Sequence, residues 1–500
     1  MSEAQTVDLL IVGGGINGAG IARDAAGRGL RVCLVEQSDL ASATSSASTK
    51  LIHGGLRYLE HFELRLVREA LAERERLMGI APHIVRPLRF ILPHAAALRP
   101  RWQVRLGLFL YDHLGGPQSL PASRSIVLAS EPSNPLRPAF VHGFSYADCL
   151  VDDSRLVVLN VVDAAARGAR ILTRTQCLRA LARPNGWQVQ CLDLLSGKPL
   201  EIQARALVNT AGCSVELVRE TAGLPRGQPV RLVQGSHIVV KQLFEGTQAY
   251  LLQNQDGRVV FAIPFEGDFT LIGTTDVPFQ GDLKAVHIAP WEVDYLCEAV
   301  NRYFTRTVSP ADVVWTYSGV RALQQAETSN LSEITRDYEL RLETGEYGLP
   351  ALTVIGGKIT TYRKLAEAAL TLLHAVVGDS ARPWTASASL PGGDLPSGDL
   401  SDYLESCRRR WSAVPPAVLA RLVRSYGTEL ERFLAGVSSL EALGEHFGAG
   451  LTAAEVEHLR TREWAQTTDD ILWRRSKLGL HLPAEGVARL QRYLRGTTSR

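Results

Sequence analysis

The start of the chain has the order of a dinucleotide-binding unit. Residues 8–12 form a short apolar run that suits one buried parallel strand, and residues 13–18 satisfy the pattern G-x-G-x-x-G. A helix-like stretch follows, and a second apolar run ends at Glu36. This order places a pyrophosphate on the helix N-terminus and a ribose hydroxyl on the carboxylate, so it predicts an α/β fold with a Rossmann-type domain. The glycines of the turn are Gly13, Gly14, Gly15 and Gly18.

A segment rich in small and hydroxylated residues comes soon after this unit. It includes Thr44, Ser45, Ser46 and Ser48 and leads into His53-Gly54-Gly55-Leu56-Arg57-Tyr58. A flavin enzyme can line its ring with such a segment, whereas a nicotinamide enzyme has no obvious need of it. The sequence therefore favours FAD as the cofactor. The alternative is a solvent-exposed loop, which the immediate step into two glycines disfavours.

The composition indicates a folded protein of two or three domains. The chain has 500 residues, 45% hydrophobic and 21% charged, and its net charge of +2 gives no argument for nucleic-acid binding. Seven cysteines without close spacing indicate reduced thiols rather than a disulfide framework or a zinc site, and we expect no metal. The first strand begins too early for a signal peptide, and no apolar run reaches the length of a membrane span. We therefore expect a cytoplasmic protein.

Beyond the first unit, the pattern changes twice along the chain. Several strands between residues 230 and 277 are separated by tight-turn signals and predict an antiparallel sheet on the substrate side. A Pro/Gly-rich linker precedes a final stretch that is almost wholly helical. We therefore expect an FAD-binding domain over 1–390, interleaved with a substrate-binding sheet at about 80–150 and 225–340, and a helical C-terminal domain over 391–500.

Two long motifs resemble the signatures of one family, the FAD-dependent, respiratory (aerobic) glycerol-3-phosphate dehydrogenases. They are residues 13–29 and 356–366, and the blocks 45–58, 272–276 and 315–321 are also similar to that family. The resemblance covers the whole chain. It implies hydride transfer from C2 of sn-glycerol 3-phosphate to flavin N5, giving dihydroxyacetone phosphate, with the electrons passed to a ubiquinone-type quinone in a membrane.

Binding of a phosphate ester requires a cluster of cations. Arginine is the natural clamp because its planar fork makes bidentate bonds. The candidates for binding the substrate, to which the resemblance also points, are Arg57, Tyr58, Arg321, Arg336 and Lys358. Any one of these arginines alone is better explained by a surface or interdomain ion pair, and the surroundings of Arg336, from Glu333 to Asp337, could pair it internally. Convergence of distant segments on one pocket is what favours a binding site.

Two histidines are candidates for the base that accepts the hydroxyl proton. His237 lies within a strand pattern, and His53 precedes two glycines that let the backbone approach a ring system. We favour His237 as the base, with His53 as a contact to flavin or substrate and Arg321 or Lys358 as a tuning charge. The alternative for His237 is a buried histidine of the sheet whose hydrogen bonds are satisfied.

The remaining motif residues are expected to contact the cofactor. Glu36 is expected to bind the adenosine ribose, and residues 44–48 the pyrophosphate or the flavin. Ala211 and Gly212, at the end of a strand, either allow close backbone approach to the cofactor or form a plain strand-to-helix turn. The residues expected to close the far side of the ring are Gly357, Lys358 and Thr361.

Transfer of electrons to a quinone requires contact with a bilayer. Residues 99–111 combine arginines with Trp, Leu, Phe and Tyr, which is typical of an interfacial segment or of an internal helix with a basic edge. A second basic cluster at 408–411 either sits on anionic lipid or is solvated. We therefore expect peripheral attachment to the inner face of the cytoplasmic membrane. For the helical C-terminal domain, a homodimer contact and contact with another partner are both open.

Two other functions compete with a quinone-linked dehydrogenase. A flavin oxidase of the glycerophosphate or amino-acid type would pass its electrons to oxygen. A flavin-binding protein without turnover would not be reduced by any polyol phosphate, and the arginines disfavour it because an inert binder needs no phosphate clamp. An NAD-linked dehydrogenase is disfavoured because nothing after residue 36 offers a second nicotinamide site.

Overall fold

The computed structural model describes residues 6–94, 100–131, 133–225, 227, 229–324, 337–378 and 382–498. Within these residues the chain forms two large β-sheets and a mainly helical C-terminal part. The strands, in chain order, are β1 Thr6–Val12, β2 Val32–Val35, β3 Leu51–Ile52, β4 Val85–Pro93, β5 Arg124–Val127, β6 His142–Val151, β7 Arg170–Leu172, β8 Thr175–Arg183, β9 Gly186–Asp193, β10 Pro199–Asn209, β11 Val230–Lys241, β12 Ala249–Gln253, β13 Val259–Phe265, β14 Phe269–Gly273, β15 Val277–Pro278, β16 Val313–Gln324, β17 Tyr338–Thr344, β18 Pro350–Gly356, β19 His446–Gly448 and β20 Leu451–Thr452.

The helices surround these sheets and build the C-terminal part. They are α1 Ile16–Gly27, α2 Leu64–Ile80, α3 Arg101–Leu114, α4 Asp153–Ala166, α5 Val215–Thr221, α6 Pro290–Asn301, α7 Tyr362–Val377, α8 Leu400–Arg410, α9 Pro416–Tyr426, α10 Glu431–Leu434, α11 Ala453–Glu463 and α12 Ala484–Thr498. None of the helices in the described ranges combines the length and the apolar character that crossing a bilayer demands.

The first sheet has the predicted Rossmann arrangement. Its strand order is β17-β18-β10-β1-β2-β7, with β1, β2, β7, β10 and β18 parallel and the β8–β9 hairpin attached to the edge of β10. Residues 9–12 of β1 are all apolar because both faces of the strand are buried there. Helices α1, α4 and α7 cover one face and share its core through side chains such as Ile21, Leu159 and Leu365.

The second sheet is mainly antiparallel, as predicted, and two separate segments of the chain build it. The first segment contributes β3 to β6, and the second contributes β11 to β16. The strand order of the sheet is β15-β11-β14-β13-β12-β4-β6-β3. Strand β16 pairs with β11, and β5 pairs with β6. Strands β4 and β12 pair with each other and so connect the two segments. They run parallel, which is possible because they are far apart in the chain. Helix α6 covers one face, and helices α2 and α3 cover the other.

The C-terminal part has its own core and is held to the first sheet by buried ion pairs. Trp411, Leu419 and Ile471 belong to this core. The part is mainly helical, as predicted, but a short β19–β20 hairpin interrupts the helices. Buried Arg475 pairs with Asp39 at 2.9 Å, and buried Arg155 of α4 pairs with Glu463 of α11. The fold class predicted from the sequence is confirmed.

Candidate active site

The glycine turn brings the end of β10 against the start of α1. Gly13 has φ +114°, and a Cβ at this position would lie 2.5 Å from the carbonyl oxygen of Thr210. A Cβ at Gly18 would lie 2.0 Å from the carbonyl oxygen of Gly13. Only glycine permits these approaches, so the turn closes tightly against the N-terminus of α1, a position that favours an anion. Ala211 and Gly212 follow Thr210 directly, and Gly212 has φ +58°.

Glu36 is fixed at the end of β2, next to the glycine turn. Its two carboxylate oxygens accept the backbone N–H groups of Gly14, at 2.7 Å, and of Ser38, at 2.8 Å. Burial raises the pKa of Glu36, and these two hydrogen bonds partly oppose that effect. The remaining lone pairs of the carboxylate suit the ribose hydroxyl that the sequence pattern assigns to it.

The serine-rich segment lies between α1 and β16. Ser45 Oγ accepts the N–H of Ile16 at 3.0 Å, and Thr44 Oγ1 donates to the carbonyl oxygen of Val320 at 2.5 Å. Ser48 Oγ donates to Asp153 at 2.8 Å, whereas Ser46 Oγ donates to a carbonyl of its own segment at 3.3 Å. The segment is therefore a fixed part of the site rather than a solvent loop.

His237 lies on β11 and faces this segment. Its Nε2 is 3.0 Å from Thr49 Oγ1, and its ring stacks on Tyr317 with the centroids 4.7 Å apart. Gly273 on the neighbouring strand makes room, because a Cβ there would lie 2.1 Å from the ring. Burial, followed by the positive charges of Lys50 and Arg321, holds the pKa of His237 well below its usual range.

The second half of the same segment meets the motif after β18. Thr360 Oγ1 accepts the N–H of His53 at 3.4 Å, and Lys358 Nζ lies 3.5 Å from the centroid of the Tyr58 ring. Asn17 of α1 donates to the carbonyl of Gly356 at 3.0 Å, which joins the two motifs that carry the family resemblance. Two further residues of the predicted cofactor set lie in this turn, Gly357 with φ +93° and buried Thr361.

The three predicted arginines have different surroundings. Arg321 pairs with Asp276 at 3.0 Å, and its guanidinium lies over Gly235, where a Cβ would be 2.4 Å from Nη2. Arg57 is half-buried beside Tyr58 and forms no ion pair with any residue that the structure describes. Arg336 lies outside the described residues, so its predicted contact with the substrate stays a prediction.

A buried ionic cluster beneath the serine-rich segment escaped the sequence analysis. Asp153 accepts hydrogen bonds from Lys50 at 2.8 Å and from Ser48, and Lys477 lies 3.4 Å away. Burial opposes ionisation of Asp153, but Lys50 and Lys477 hold its pKa below the ordinary value. The pKa of Lys50 is lowered by its own burial. The left-handed backbone at Lys50, with φ +60°, aims its side chain inward, and no sequence pattern signals that.

The residues at this site fit FAD. Two buried polar atoms, His237 Nδ1 and Asn17 Oδ1, have no hydrogen-bond partner among the described residues. Asn17 lies in the first motif, and His237 contacts Thr49 of the block 45–58. Buried polar atoms in native proteins are rarely left without a partner, so they indicate a ligand. Glu36, the glycine turn and the Gly357–Thr361 turn are the parts of the site that could hold a dinucleotide.

Comparison with known proteins agrees with this assignment. Residues 8–363 match the family model of FAD dependent oxidoreductases, and residues 383–495 match the C-terminal domain of alpha-glycerophosphate oxidase. The chain is 51% identical to the glycerol-3-phosphate dehydrogenase of Pseudomonas aeruginosa over 98% of this chain and 95% of the relative. It is 48% identical to the D-erythritol 1-phosphate dehydrogenase of Brucella abortus over 96% of each chain.

A solved structure gives the same result for the fold and the cofactor. The glycerol-3-phosphate dehydrogenase of Bacillus halodurans, crystallised with FAD, superposes with a TM-score of 0.79 at 28% identity, over 100% of this chain and 92% of that chain. The family resemblance and the FAD cofactor predicted from the motifs are thus confirmed. The chain belongs to the FAD-dependent oxidoreductases that carry the C-terminal domain of alpha-glycerophosphate oxidase.

Proposed function

We propose that this protein oxidises sn-glycerol 3-phosphate to dihydroxyacetone phosphate with FAD as the oxidant and passes the electrons to a quinone at a membrane surface. The observation that carries this proposal is the course of residues 44–58. The first part of this segment lies against His237, and the last part lies against Lys358. A base and a group of cations thus line one continuous segment. The relative named glycerol-3-phosphate dehydrogenase supports the same substrate.

Arg57, Tyr58 and Lys358 are the groups that we assign to the substrate phosphate. Lys358 rests on the Tyr58 ring, and Arg57 is the neighbour of Tyr58 in the chain. Two cations and a hydroxyl next to each other suit a phosphate dianion. Arg321 is held by Asp276 at 3.0 Å, and its charge acts on His237, so we assign it to the substrate side of the base.

His237 is the base in this proposal. Its Nε2 contacts Thr49, and its buried Nδ1 has no partner within the described residues. Buried N–H groups without an acceptor are rarer in proteins than under-used acceptors, so we assign the proton to Nε2, which donates to Thr49 Oγ1. The lone pair of Nδ1 then accepts the proton of the substrate hydroxyl. Because burial holds the pKa of His237 well below its usual range, the ring is neutral near pH 7.

FAD, when bound, supplies the acceptor for the C2 hydride. The protein itself holds the cofactor and excludes water from the reacting atoms. We assign Glu36 to the ribose, the first turn of α1 to the pyrophosphate, and residues 44–48 to the pyrophosphate and the flavin. Ala211 and Gly212 border the glycine turn, and the Gly357–Thr361 turn closes the ring from the other side, with His53 next to it.

A four-carbon polyol phosphate is the second candidate substrate, because one relative is named D-erythritol 1-phosphate dehydrogenase. The same base and cations serve any small polyol phosphate. The deciding experiment is anaerobic bleaching of the bound flavin by sn-glycerol 3-phosphate, D-erythritol 1-phosphate and glycerol at equal concentrations. We expect the glycerol ester to bleach the flavin fastest and glycerol to leave it oxidised. Faster bleaching by the erythritol ester reassigns the substrate, and no bleaching by either ester refutes the proposal.

The electron acceptor is tested on the reduced protein. We expect a soluble quinone to reoxidise the flavin much faster than air-saturated buffer does. Stoichiometric hydrogen peroxide during turnover would instead assign the protein as an oxidase. A flavin that stays oxidised with every polyol phosphate would assign it as a binding protein without turnover.

Helix α3 supports the proposed contact with a membrane. Trp102, Leu106 and Phe109 on this helix are 70%, 51% and 49% exposed, and the neighbouring Phe62 is 84% exposed. A polar-edged helix that turns several large apolar side chains outward suits an interfacial position. Arg99, which the sequence analysis placed in the same segment, lies outside the described residues.

The basic cluster at 408–411 has a different environment. Trp411 is buried in the C-terminal core, Arg408 pairs with Glu405, and Arg410 pairs with Glu431. These pairs favour its interpretation as a solvated helix end, and we assign the membrane contact to α3 alone.

Vesicle binding tests this assignment. We expect the protein to co-sediment with vesicles that contain phosphatidylglycerol, and the double variant Trp102→Ser, Phe109→Ser to lose most of this binding. Trp291→Ser is the matched control, since Trp291 on α6 is 50% exposed on the opposite side of the second sheet. Equal loss of binding in both proteins would remove α3 from the proposal.

A further inference from the structure

One short turn of the C-terminal part reaches the active site. Residues Asp470–Arg475 form a single π-helical turn between α11 and α12, and Lys477 follows it with the left-handed φ of +58°. Trp473 in this turn and Lys477 after it point toward the second sheet and toward α4, respectively. The Lys477 ammonium also donates to the backbone carbonyl of Trp473 at 3.3 Å, which ties the lysine to the turn that contains Trp473.

Trp473 begins a line of stacked rings that ends at His237. It stacks on Trp315 with the centroids 4.4 Å apart and the planes inclined by 19°. Trp315 lies 5.0 Å from Tyr317 on the same strand, and Tyr317 stacks on His237 at 4.7 Å. Aromatic contacts of this kind fix the position of each ring. A continuous series of ring contacts therefore connects His237 with a side chain of the C-terminal part.

Lys477 reaches the other side of the same site. Its Nζ donates to Ser154 Oγ at 2.6 Å and lies 3.4 Å from Asp153. Asp153 in turn binds Lys50 at 2.8 Å and Ser48 Oγ at 2.8 Å. Lys50 and Lys477 both stabilise the charge of buried Asp153, and Lys477 also pairs with Asp152 at 3.3 Å.

The series of ring contacts from Trp473 to His237 and the ionic contacts of Lys477, Asp153 and Lys50 meet at residues 48–50. Tyr317 donates its hydroxyl hydrogen to the carbonyl of Ser48 at 2.8 Å, and the Lys50 ammonium lies 4.9 Å from the centroid of the Tyr317 ring. Thr49, between Ser48 and Lys50, is the residue that contacts His237 Nε2. The ring contacts and the ionic contacts therefore both fix the segment Ser48–Lys50, which contacts His237 through Thr49.

We propose that Trp473 and Lys477 are positioning residues for the oxidation, by which the C-terminal domain holds His237, Tyr317 and the Ser48–Lys50 segment in their working arrangement. This proposal rests on the proposed function in that His237 is taken as the base. It gives the C-terminal domain a part in turnover.

The test compares variants inside the same domain. Trp473→Leu and Lys477→Met remove the two contacts, and Trp473→Phe and Lys477→Arg restore a ring and a cation. Trp411→Leu is the control, because Trp411 is a buried tryptophan of the C-terminal core that donates to the carbonyl of Leu434 and belongs to neither set of contacts. We expect Trp473→Leu and Lys477→Met to lower kcat at least tenfold with KM changed less than threefold. The conservative variants should recover most of kcat, and Trp411→Leu should lower Tm without lowering kcat more than twofold.

A second readout does not depend on turnover. The rate at which diethyl pyrocarbonate modifies His237, followed by peptide mass spectrometry on the holoprotein, should rise severalfold in Trp473→Leu and stay unchanged in Trp411→Leu. The proposal is overturned if Trp473→Leu changes neither the modification rate of His237 nor kcat. It is also overturned if kcat falls in proportion to Tm in every variant, including the control Trp411→Leu. If Trp473→Leu does not fold, Lys477→Met decides by the same measures. Failure of the wild type to oxidise any polyol phosphate would refute the proposed function, whereas the modification rates would still test the positioning.

Discussion

Replacement of His237 by Gln is the most direct test of the assigned base. A Gln side chain places its Nε2 near the position of the histidine Nε2, so the contact with Thr49 at 3.0 Å is preserved. The basic Nδ1 is lost. The substitution therefore separates the function of the histidine as a base from its function in holding the serine-rich segment.

The expected loss follows from the contacts of the ring. A positioned general base contributes a factor of about 10²–10⁴, so flavin reduction should slow by that factor, which is about 2.7–5.5 kcal/mol in the activation free energy. The structural cost is smaller, because the ring loses one stacked partner, Tyr317, and such pairs contribute about 0.5–1.5 kcal/mol. A loss of rate without a comparable loss of stability is therefore the result to look for.

The assay is anaerobic stopped-flow reduction of the flavin, with urea unfolding in parallel. His53→Gln is the matched control, since His53 borders the same segment but its N–H contacts Thr360. A reduction rate within threefold of the wild type in His237→Gln, or a larger loss in His53→Gln, would falsify the assignment of the base.

The pH dependence gives an independent check on His237. The base must be neutral to act, and its pKa is held well below the usual histidine range by burial and by the charges of Lys50 and Arg321. Protonation, and with it the loss of activity, should therefore occur only as the pH falls through this lowered pKa. The acid limb of kcat/KM should lie below about pH 6.5, the ordinary pKa of histidine. An acid limb at or above that pH contradicts the assignment.

Three further predictions concern the cofactor and the contact between the domains. Glu36→Ala removes the acceptor for two N–H groups and for the ribose, so the Kd for FAD, measured by flavin fluorescence on the apoprotein, should rise about 10- to 150-fold, and an unchanged Kd contradicts the assignment. Asp39→Ala removes the carboxylate that pairs with Arg474 and Arg475, and it leaves buried Arg475 only the longer contact with Glu463 at 3.4 Å. The free energy of unfolding should fall by about 3–5 kcal/mol in urea titrations, and a loss below about 1 kcal/mol would contradict this role of Asp39. Burial raises the pKa of Glu463, but Arg155 and His458 reverse this and lower it from 4.5 to about 2, so this group stabilises the fold above pH 4.5 and loses its effect as the pH falls toward 2. Urea unfolding over this pH range should show a loss of about 3 kcal/mol that Glu463→Gln lacks, and identical pH slopes for the two proteins would refute it.

The sequence predicted those parts of the site that depend on local spacing. Such spacing applies to the glycine turn between β1 and α1, to Glu36 directly after β2, and to the motif between β18 and α7. The structure has the predicted order of elements at all three places. Residues 44–58 were recognised for the same reason, because serines that run into two glycines form a local pattern. The antiparallel strands after residue 230 followed from their turn signals.

The partners of the charged residues were not predictable from such patterns. Lys50 and Asp153 are 103 positions apart, and Lys477 and Asp153 are 324 positions apart, so only the tertiary course of the chain brings them together. Arg321 appeared as a candidate for the phosphate without any sign of its partner Asp276. Sequence patterns specify which chemical groups are present, whereas the topology decides which of them neutralise each other.

This distinction changes how the phosphate clamp should be sought. A buried cation that already has a carboxylate, as Lys50 has Asp153, mainly builds the site, because its charge is largely compensated where it lies. Arg57 forms no ion pair with a described residue, and it lies next to Tyr58, whose ring carries Lys358. A phosphate dianion gains most from cations that no carboxylate has compensated. We therefore expect the substrate phosphate to bind at Arg57, near the end of the 44–58 segment. His237, the proposed base, contacts Thr49 earlier in the same segment, and the reacting hydroxyl of the substrate should lie there.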